Sequence, residues 1–423
     1  MNNLDNTIWD VAVIGGGPAG MMSAGTAAQH GARVILLEKN DALGKKLLIT
    51  GGGRCNVTNA EQDVRTLLEK FKSDGKFLFS TFAQFAVAET LQFFNSRGME
   101  TKIEPGLRVF PTSDKSQSVL NVLLEYLREQ HVTVLSHSPV SKLKTVENKI
   151  SAVVLADGTE IKAKMFILAT GGLSRPETGS TGDGFTWLKN IGHTIIKPSF
   201  ALVPVAIKDE WVKKLQGVTI PSVKITLLQD GQKQGVKKGK ILFTHFGVSG
   251  PTVLNMSKDI GELLKYGDVT VSLDLFPASG HDKLNLHLQD FFKQQNKKKI
   301  KNCLGEMIPS ALVPIVLELT GVDPETLVHS ITRDNRLKLI TTLKNLTMTV
   351  SGLLGADKAI VSSGGIDLTE VDFKTMSSRL YPNLYVVGDV LNIDRPSGGY
   401  SLQLCWTTGY VAGTHAGQKS HNY

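Results

Sequence analysis

Val11-Ala12-Val13-Ile14-Gly15-Gly16-Gly17-Pro18-Ala19-Gly20, followed by Val34-Ile35-Leu36-Leu37-Glu38, decides the fold of the N-terminal part of this chain. Two apolar runs flank a glycine-rich turn and a segment of small residues, the order of a dinucleotide-binding βαβ unit. Gly15 permits the tight turn out of the first strand, Gly17 lets backbone amides approach a pyrophosphate, and Gly20 lets the helix pack close to the sheet. Pro18 and Ala19 open that helix, whose unsatisfied N–H groups and dipole favour a phosphate. Glu38 closes the second strand, where a carboxylate accepts hydrogen bonds from a ribose diol and repels a 2′-phosphate. The expected ligand is an adenosine dinucleotide, FAD or NAD.

The far end of the chain separates those two. Leu384-Tyr385-Val386-Val387 reads as a buried strand, and Gly388-Asp389 follows it. In the same parallel sheet its C-terminal end faces the ligand crevice, and Asp389 then reaches a ribityl chain, which NAD lacks. Lys164-Met165-Phe166-Ile167-Leu168-Ala169-Thr170-Gly171-Gly172 reads as a third strand ending beside that crevice. Together these segments favour FAD. No second G-x-G-x-x-G follows an apolar strand, because Gly179, Gly182 and Gly184 lie in a loop with no strand to feed them. A separate NAD(P)H domain is therefore not expected, and NAD(P)H enters only as a transient electron donor.

Further motifs carry a family resemblance. The block Gly44-Lys45-Lys46-Leu47-Leu48-Ile49-Thr50-Gly51-Gly52-Gly53-Arg54-Cys55-Asn56-Val57-Thr58-Asn59 is long and unusual. With Val109-Phe110-Pro111, Leu242-Phe243-Thr244-His245-Phe246-Gly247-Val248-Ser249-Gly250-Pro251 and the closing Gly398-Gly399-Tyr400, it resembles the BaiN/YhiN-like flavoproteins of the glutathione-reductase-like FAD superfamily. The resemblance spans nearly the whole chain. It implies FAD as cofactor and reduction of unsaturated steroid rings or of uridine in ribosomal RNA; oxidation of small amines such as aminoacetone is also associated with the family. The chain departs from the family at Ser397-Gly398-Gly399-Tyr400-Ser401-Leu402-Gln403, where Thr-Gly-Gly-Tyr-Asn-Leu-Gln is common, and Arg395-Pro396 precede it.

The expected fold is α/β. A Rossmann-like FAD-binding domain with a parallel sheet takes residues 1–190 and 366–423. An inserted antiparallel β-sheet or barrel takes 191–275 and 344–365, and a small helical subdomain takes 276–343. Helices are expected from Phe77 to Arg97, Ser118 to Gln130 and Ser401 to His415. Strands are expected at Thr133–Leu135, Ile150–Leu155, Met165–Ala169, Ala201–Ile207, Val223–Leu228, Ile241–Thr244 and Val269–Leu275, with a return to the sheet through Val350–Val361. A chain of 423 residues exceeds one ordinary core, so several domains are required.

The polar, acidic start from Met1 to Asp10 is unlike a signal peptide, and no apolar run is long enough to span a bilayer. Cys55, Cys303 and Cys405 are widely spaced, with no C-x-x-C pair or metal-ligand cluster, which suits a reduced, cytoplasmic protein. The net charge of +8 is uneven. Lys233, Lys237, Lys238 and Lys240 form one cluster, and Lys283, Lys293, Lys297, Lys298, Lys299 and Lys301 form another. Such clusters attract polyanions, RNA among them, although lysine runs are also ordinary solvated surface.

The residues expected at the cofactor are Gly15, Gly17, Pro18, Ala19, Gly20, Glu38, Lys39, Lys46, Thr50, Gly51, Gly52, Arg54, Cys55, Asn56, Thr170, Gly171, Gly388, Asp389, Gly398, Gly399 and Tyr400. Cys55, His245 and Tyr400 are the candidate proton donors for hydride addition to an activated C=C bond. Two rival readings stand beside that reductase: an FAD-dependent oxidase of small amines, and a flavin-holding RNA-binding protein without turnover. The oligomeric state cannot be read from the sequence.

Overall fold

In a computed structural model of the protein, residues 7–355 and 361–422 are described. The chain divides into two compact units, residues 1–200 with 359–423, and residues 201–358.

The first unit is built on a nine-stranded sheet. Its parallel part runs, side by side, Thr133–Leu135, Val34–Leu37, Ile8–Ile14, Glu160–Leu168 and Leu384–Val386. The register matters for function. Ile14 is level with Leu37 and Leu168, and Leu168 is level with Val386. Four strands therefore end together, and the residues that follow them, Gly15, Glu38, Ala169 and Val387, rim one crevice. At the crevice end, Val11–Ile14, Val34–Leu37, Met165–Leu168 and Leu384–Val386 are buried on both faces, as parallel strands covered by helices must be.

Two helices cover one part of this sheet. The first, Pro18–Gln29, has its proline in the opening turn, where no N–H is missed. The second, Tyr400–Ser420, is longer than the expected Ser401–His415. It runs on because Gly409, Gly413 and Gly417 keep it against the first helix, where added β-carbons would lie 2.6 Å from Ala19 O, 2.5 Å from Ser23 O and 2.8 Å from Ala27 O. The helix expected from Phe77 to Arg97 is two helices, Gly75–Phe82 and Val87–Asn95. Ala86 is extended between them, and Glu89 folds back to accept its N–H at 2.8 Å. The Ser118–Gln130 expectation corresponds to Ser116–Glu129. A three-stranded antiparallel sheet of Thr58–Asn59, Arg108–Pro111 and Thr101–Glu104 was not legible, because its strands are short and lack clear alternation.

The second unit is a closed antiparallel barrel. Around it run Val205–Ile207, Gly247–Ser249, Gln232–Thr244, Thr219–Gln229, Val269–Asp274 and Leu346–Leu353, and the last pairs with the first. Closure removes the exposed edges an open sheet would carry. The helices His281–Gln294, Ile300–Leu304, Leu312–Thr320 and Arg333–Lys344 bury Leu288, Val316 and Leu339 in one apolar cluster with barrel residues such as Ile225 and Val271. Helices and barrel thus share a core. The buried Lys344 ties them, 2.7 Å from Asp274 and donating to Phe276 O at 2.9 Å. Of the return through Val350–Val361, residues 356–360 lie outside the described residues. Among those described, no helix is long and apolar enough to cross a membrane.

Candidate functional site

The crevice at the ends of the parallel strands opens into a cleft. It is lined by eleven of the expected cofactor residues, namely Gly15, Gly17, Pro18, Ala19, Glu38, Lys39, Lys46, Thr50, Thr170, Gly171 and Asp389. An adenosine dinucleotide fits this cleft on two observations. A β-carbon added at Gly17, at the head of the first helix, meets nothing within 4 Å, so the backbone there stands open to a ligand. Thr170 lines the cleft with a buried Oγ1 that has no hydrogen-bond partner. A buried hydroxyl left unpaired costs about 1–3 kcal/mol, which a polar ligand atom removes. Gly20 serves packing instead, since a side chain there would sit 1.8 Å from Gly15 O.

Glu38 is buried, and one of its oxygens accepts Gly16 N–H at 2.7 Å. The other accepts Asn40 N–H at 2.8 Å and Asn40 Nδ2 at 2.7 Å. Each carboxylate oxygen has two lone pairs, so acceptor capacity remains for a diol. Lys39 donates to Thr181 Oγ1 at 2.6 Å and pairs with Asp183 at 2.9 Å. Burial pushes the Asp183 carboxyl up, but the hydrogen bonds from Lys39 and Thr181 and the Lys39 charge together bring it below its usual value.

At the other end of the cleft, Asp389 lies between two cations. Lys46 Nζ is 3.4 Å from it and also donates to Ser174 Oγ at 2.6 Å, while Arg395 bonds its other oxygen. Burial alone would raise the Asp389 pKa, but the two positive charges lower it below the usual carboxylate value. Ser401, Leu402 and Cys405, from the first turns of the Tyr400–Ser420 helix, complete this end. Gly399 precedes that helix at φ +101°, and its Cα lies so near the Thr58 backbone that a side chain would sit 2.3 Å from Thr58 C. Gly398 O accepts Asn59 Nδ2 at 3.2 Å, and Gly388 N–H donates to Thr408 Oγ1 at 3.1 Å.

The remaining expected residues are not in the cleft wall. Gly51 and Gly52 adopt positive φ in the turn after Thr50. Asn56, further along that loop, has a buried Oδ1 without a partner. Arg54 is held by Glu104 and Asp114 and lies over the Phe110 ring, 4.1 Å from its centroid. Cys55 is fully buried, and burial pushes its thiol up to about 12 despite a hydrogen bond with Thr50. That position packs the thiol in the core. Tyr400 is largely buried, edge-on to Phe71, and burial raises its phenol as well. His245 belongs to the second unit, where it is exposed in the turn between two barrel strands with its ring edge-on to Phe246.

Several other cleft residues were not expected from the sequence. Asn40, Ser138 and Val140 follow the ends of parallel strands, and that position was the available signal. Thr178, Gly179, Ser180, Asp183 and Trp187 come from the segment whose glycines lacked a feeding strand. They reach the cleft through tertiary folding, without a local motif.

A parallel sheet with a glycine turn, a buried acid after its second strand and a second acid after its last strand makes this a dinucleotide-binding flavoprotein oxidoreductase of the two-domain type. The chain belongs to the family described as HI0933-like protein Rossmann domain, which matches residues 9–415, and it is an FAD-dependent enzyme. A protein of Clostridium scindens named 3-dehydro-bile acid delta(4,6)-reductase is 32% identical over 412 residues, covering 97% of this chain and 99% of that protein. A protein of Escherichia coli named ribosomal RNA dihydrouridine synthase is 29% identical, over 95% and 96% of the two chains. Among solved structures, the open conformation of a flavocytochrome c3 fumarate reductase matches with TM-score 0.54 and 18% identity, over 98% of this chain and 79% of that one. The last likeness speaks to fold alone.

Proposed function

We infer that the protein is a reductase that uses FAD to add hydride to a C=C bond conjugated to a carbonyl, with uridine in RNA as the favoured acceptor. The observation that carries the reading is full-length similarity to a delta(4,6)-reductase and to a dihydrouridine synthase, names that share this reaction type. When bound, FAD supplies the hydride chemistry. The chain's own residues hold the group and manage charge and protons. Glu38 takes the ribose diol, the Gly15–Gly17 turn and the first helix take the pyrophosphate, and Asp389 takes the ribityl hydroxyls. The first-turn N–H groups of the Tyr400–Ser420 helix lack helical partners and favour negative charge in front of them. Tyr400, kept protonated by burial and next to the cleft-lining Ser401, is the proton donor in this reading. No second nucleotide-binding domain is found among the described residues, so NADPH or NADH docks transiently.

The lysines favour RNA over a small steroid. On the Gln232–Thr244 strand, Lys233, Lys238 and Lys240 are exposed and meet no carboxylate among the described residues, while Lys237 donates to Asn255 O at 3.2 Å. The second cluster is half neutralised, six lysines against three carboxylates: Lys298 pairs with Glu306, Lys299 and Lys301 share Glu325, and Lys293 pairs with Asp290. The hairpin therefore keeps its charge for a polyanion.

The test is stopped-flow reoxidation of the anaerobically photoreduced holoenzyme against air-saturated buffer, uridine-containing ribosomal RNA and a 3-oxo-Δ4 steroid. Slow reoxidation by air and fast reoxidation by RNA are expected. Fast reoxidation by air with turnover of a small amine would instead make the enzyme an oxidase, and RNA binding without flavin reoxidation would leave a binding protein. Replacing Lys233, Lys238 and Lys240 with Gln should weaken RNA-dependent turnover. On single strands it should flatten the salt slope by roughly 0.7 for each phosphate no longer neutralised.

A further inference from the structure

Arg395 has no role in the reading above, and the sequence sets it apart, since Arg395-Pro396 precede the segment where the chain departs from its family pattern. Its side chain is fully buried. All three parts of the guanidinium are engaged: Nε donates to Ser401 Oγ at 3.0 Å, Nη1 to Ile393 O at 2.7 Å, and Nη2 to Asp389. Both Ser401 and Asp389 line the cleft, so the guanidinium lies just behind its wall, fixed from the strand end on one side and the helix start on the other.

The charge count is unbalanced. Asp389 is the shared anion of two cations, Arg395 and Lys46, and it remains ionised against the pull of burial. The trio therefore carries a net positive charge at the end of the cleft where the Tyr400–Ser420 helix also begins. The other cleft carboxylates are occupied elsewhere, Glu38 with the amides of Gly16 and Asn40 and Asp183 with Lys39. Burial matters because a charge held away from water is screened far less than one on the surface.

We propose that Arg395 is an electrostatic positioning residue: it locks Asp389 in place and, with Lys46, biases the site toward the reduced, negatively charged form of FAD. Lys46 is partly exposed and bonded to Ser174 and, at 3.4 Å, to Asp389, whereas Arg395 is fully buried and fixed at three points, so Arg395 carries most of the effect. The chain thus sets its own flavin potential through a residue outside the cleft wall. The proposal rests on the FAD site and not on the choice of acceptor.

The experiment compares the FAD-loaded wild type with Arg395→Gln, Arg395→Lys and Lys46→Gln. Two readouts are used: the midpoint potential against a reference dye, and the dissociation constant of sulfite ion, which adds to the flavin ring and leaves negative charge on it. FAD content is measured for each preparation. Arg395→Gln should weaken sulfite binding about tenfold or more and lower the preference for reduced FAD by a similar factor. For a two-electron couple a tenfold change in that preference is about 30 mV. Arg395→Lys should recover most of the shift, and Lys46→Gln should move both readouts in the same direction by a smaller amount. If Arg395→Gln does not retain FAD, the Lys46→Gln and Arg395→Lys pair decides. Readouts within twofold of wild type in the FAD-loaded variants would overturn the proposal, while a wild type that does not hold FAD would overturn the site itself.

Discussion

Gly413→Ala tests whether the contact between the two long helices of the first unit positions the cofactor site. In wild type the β-carbon of an alanine at 413 would lie 2.5 Å from Ser23 O, 2.9 Å from Thr26 Cβ and 3.1 Å from Ser23 Cα. Comfortable contact needs about 3.5 Å, so the backbones must part by about 1 Å at Ser23 O, and two of the three obstructing atoms are backbone. Overpacking costs about 1–3 kcal/mol, and with rigid backbone atoms in the way the upper half of that range, about 2–3 kcal/mol, applies. Replacing a mid-helix glycine by alanine returns about 1 kcal/mol through helix propensity. The expected net loss is about 1–2 kcal/mol, and each kcal/mol lowers Tm by about 2–4 °C in a domain of this size. Position along the helices adds a second, functional expectation. Gly409 faces Ala19 O, and Ala19 lines the cleft, whereas Gly417 faces Ala27, eight residues and about 12 Å further down the first helix. Gly409→Ala should therefore weaken FAD binding about tenfold as well as lower Tm, and Gly417→Ala should lower Tm with FAD affinity nearly intact. The assays are thermal unfolding of the FAD-free protein and fluorescence titration with FAD. A Gly413→Ala variant as stable as wild type, or Gly409→Ala and Gly417→Ala with equal FAD affinities, would refute the reasoning.

Glu38→Ala removes the acceptor for the ribose diol and strands the Gly16 N–H that it now accepts; FAD affinity measured by titration should fall by about a hundredfold, or about 3 kcal/mol. Cys55→Ser, at a buried site lacking exposure, should leave the rate of acceptor reduction within twofold of wild type while costing some stability; Tyr400→Phe should slow it at least tenfold with FAD retained, as stopped-flow traces would show. His245→Ala should leave both FAD content and Tm unchanged, because the ring is exposed and contacts Phe246 alone among the aromatics near it. Acid should loosen the Arg54 loop: the Arg54 hydrogen bond depresses Glu104, and Lys102 followed by Arg54 depresses Asp114. Groups with a lowered folded pKa contribute stability above their unfolded values, here 4.5 and 3.8, and lose it as pH falls through the folded ones. Limited proteolysis near Arg54 should accelerate below about pH 4 and not between pH 6 and 8.

Local chemistry determined much of this protein before any folding was considered. The turn at Gly15–Gly20 and the acid at Glu38 are legible because each residue type answers a local demand: a tight turn, an open backbone, a close helix, a ribose-directed carboxylate. Met165–Leu168 and Leu384–Val386 are legible as strands because they are apolar on both faces, as a covered parallel sheet requires. Tertiary structure decided what depends on distant partners. The extension of the last helix to Ser420 follows from packing against the first helix, far away in sequence, which propensity does not encode. The strand runs and the helical spacing between residues 191 and 343 were legible, but the choice of a closed barrel over an open sheet, and the core that the helices share with it, were set by tertiary packing. The cleft residues Thr178–Ser180 and Trp187, and the sharing of Asp389 between Lys46 and Arg395, exist because the chain brings separate loops to one strand end. A sequence states which charges are available, whereas burial and distance decide which of them act together.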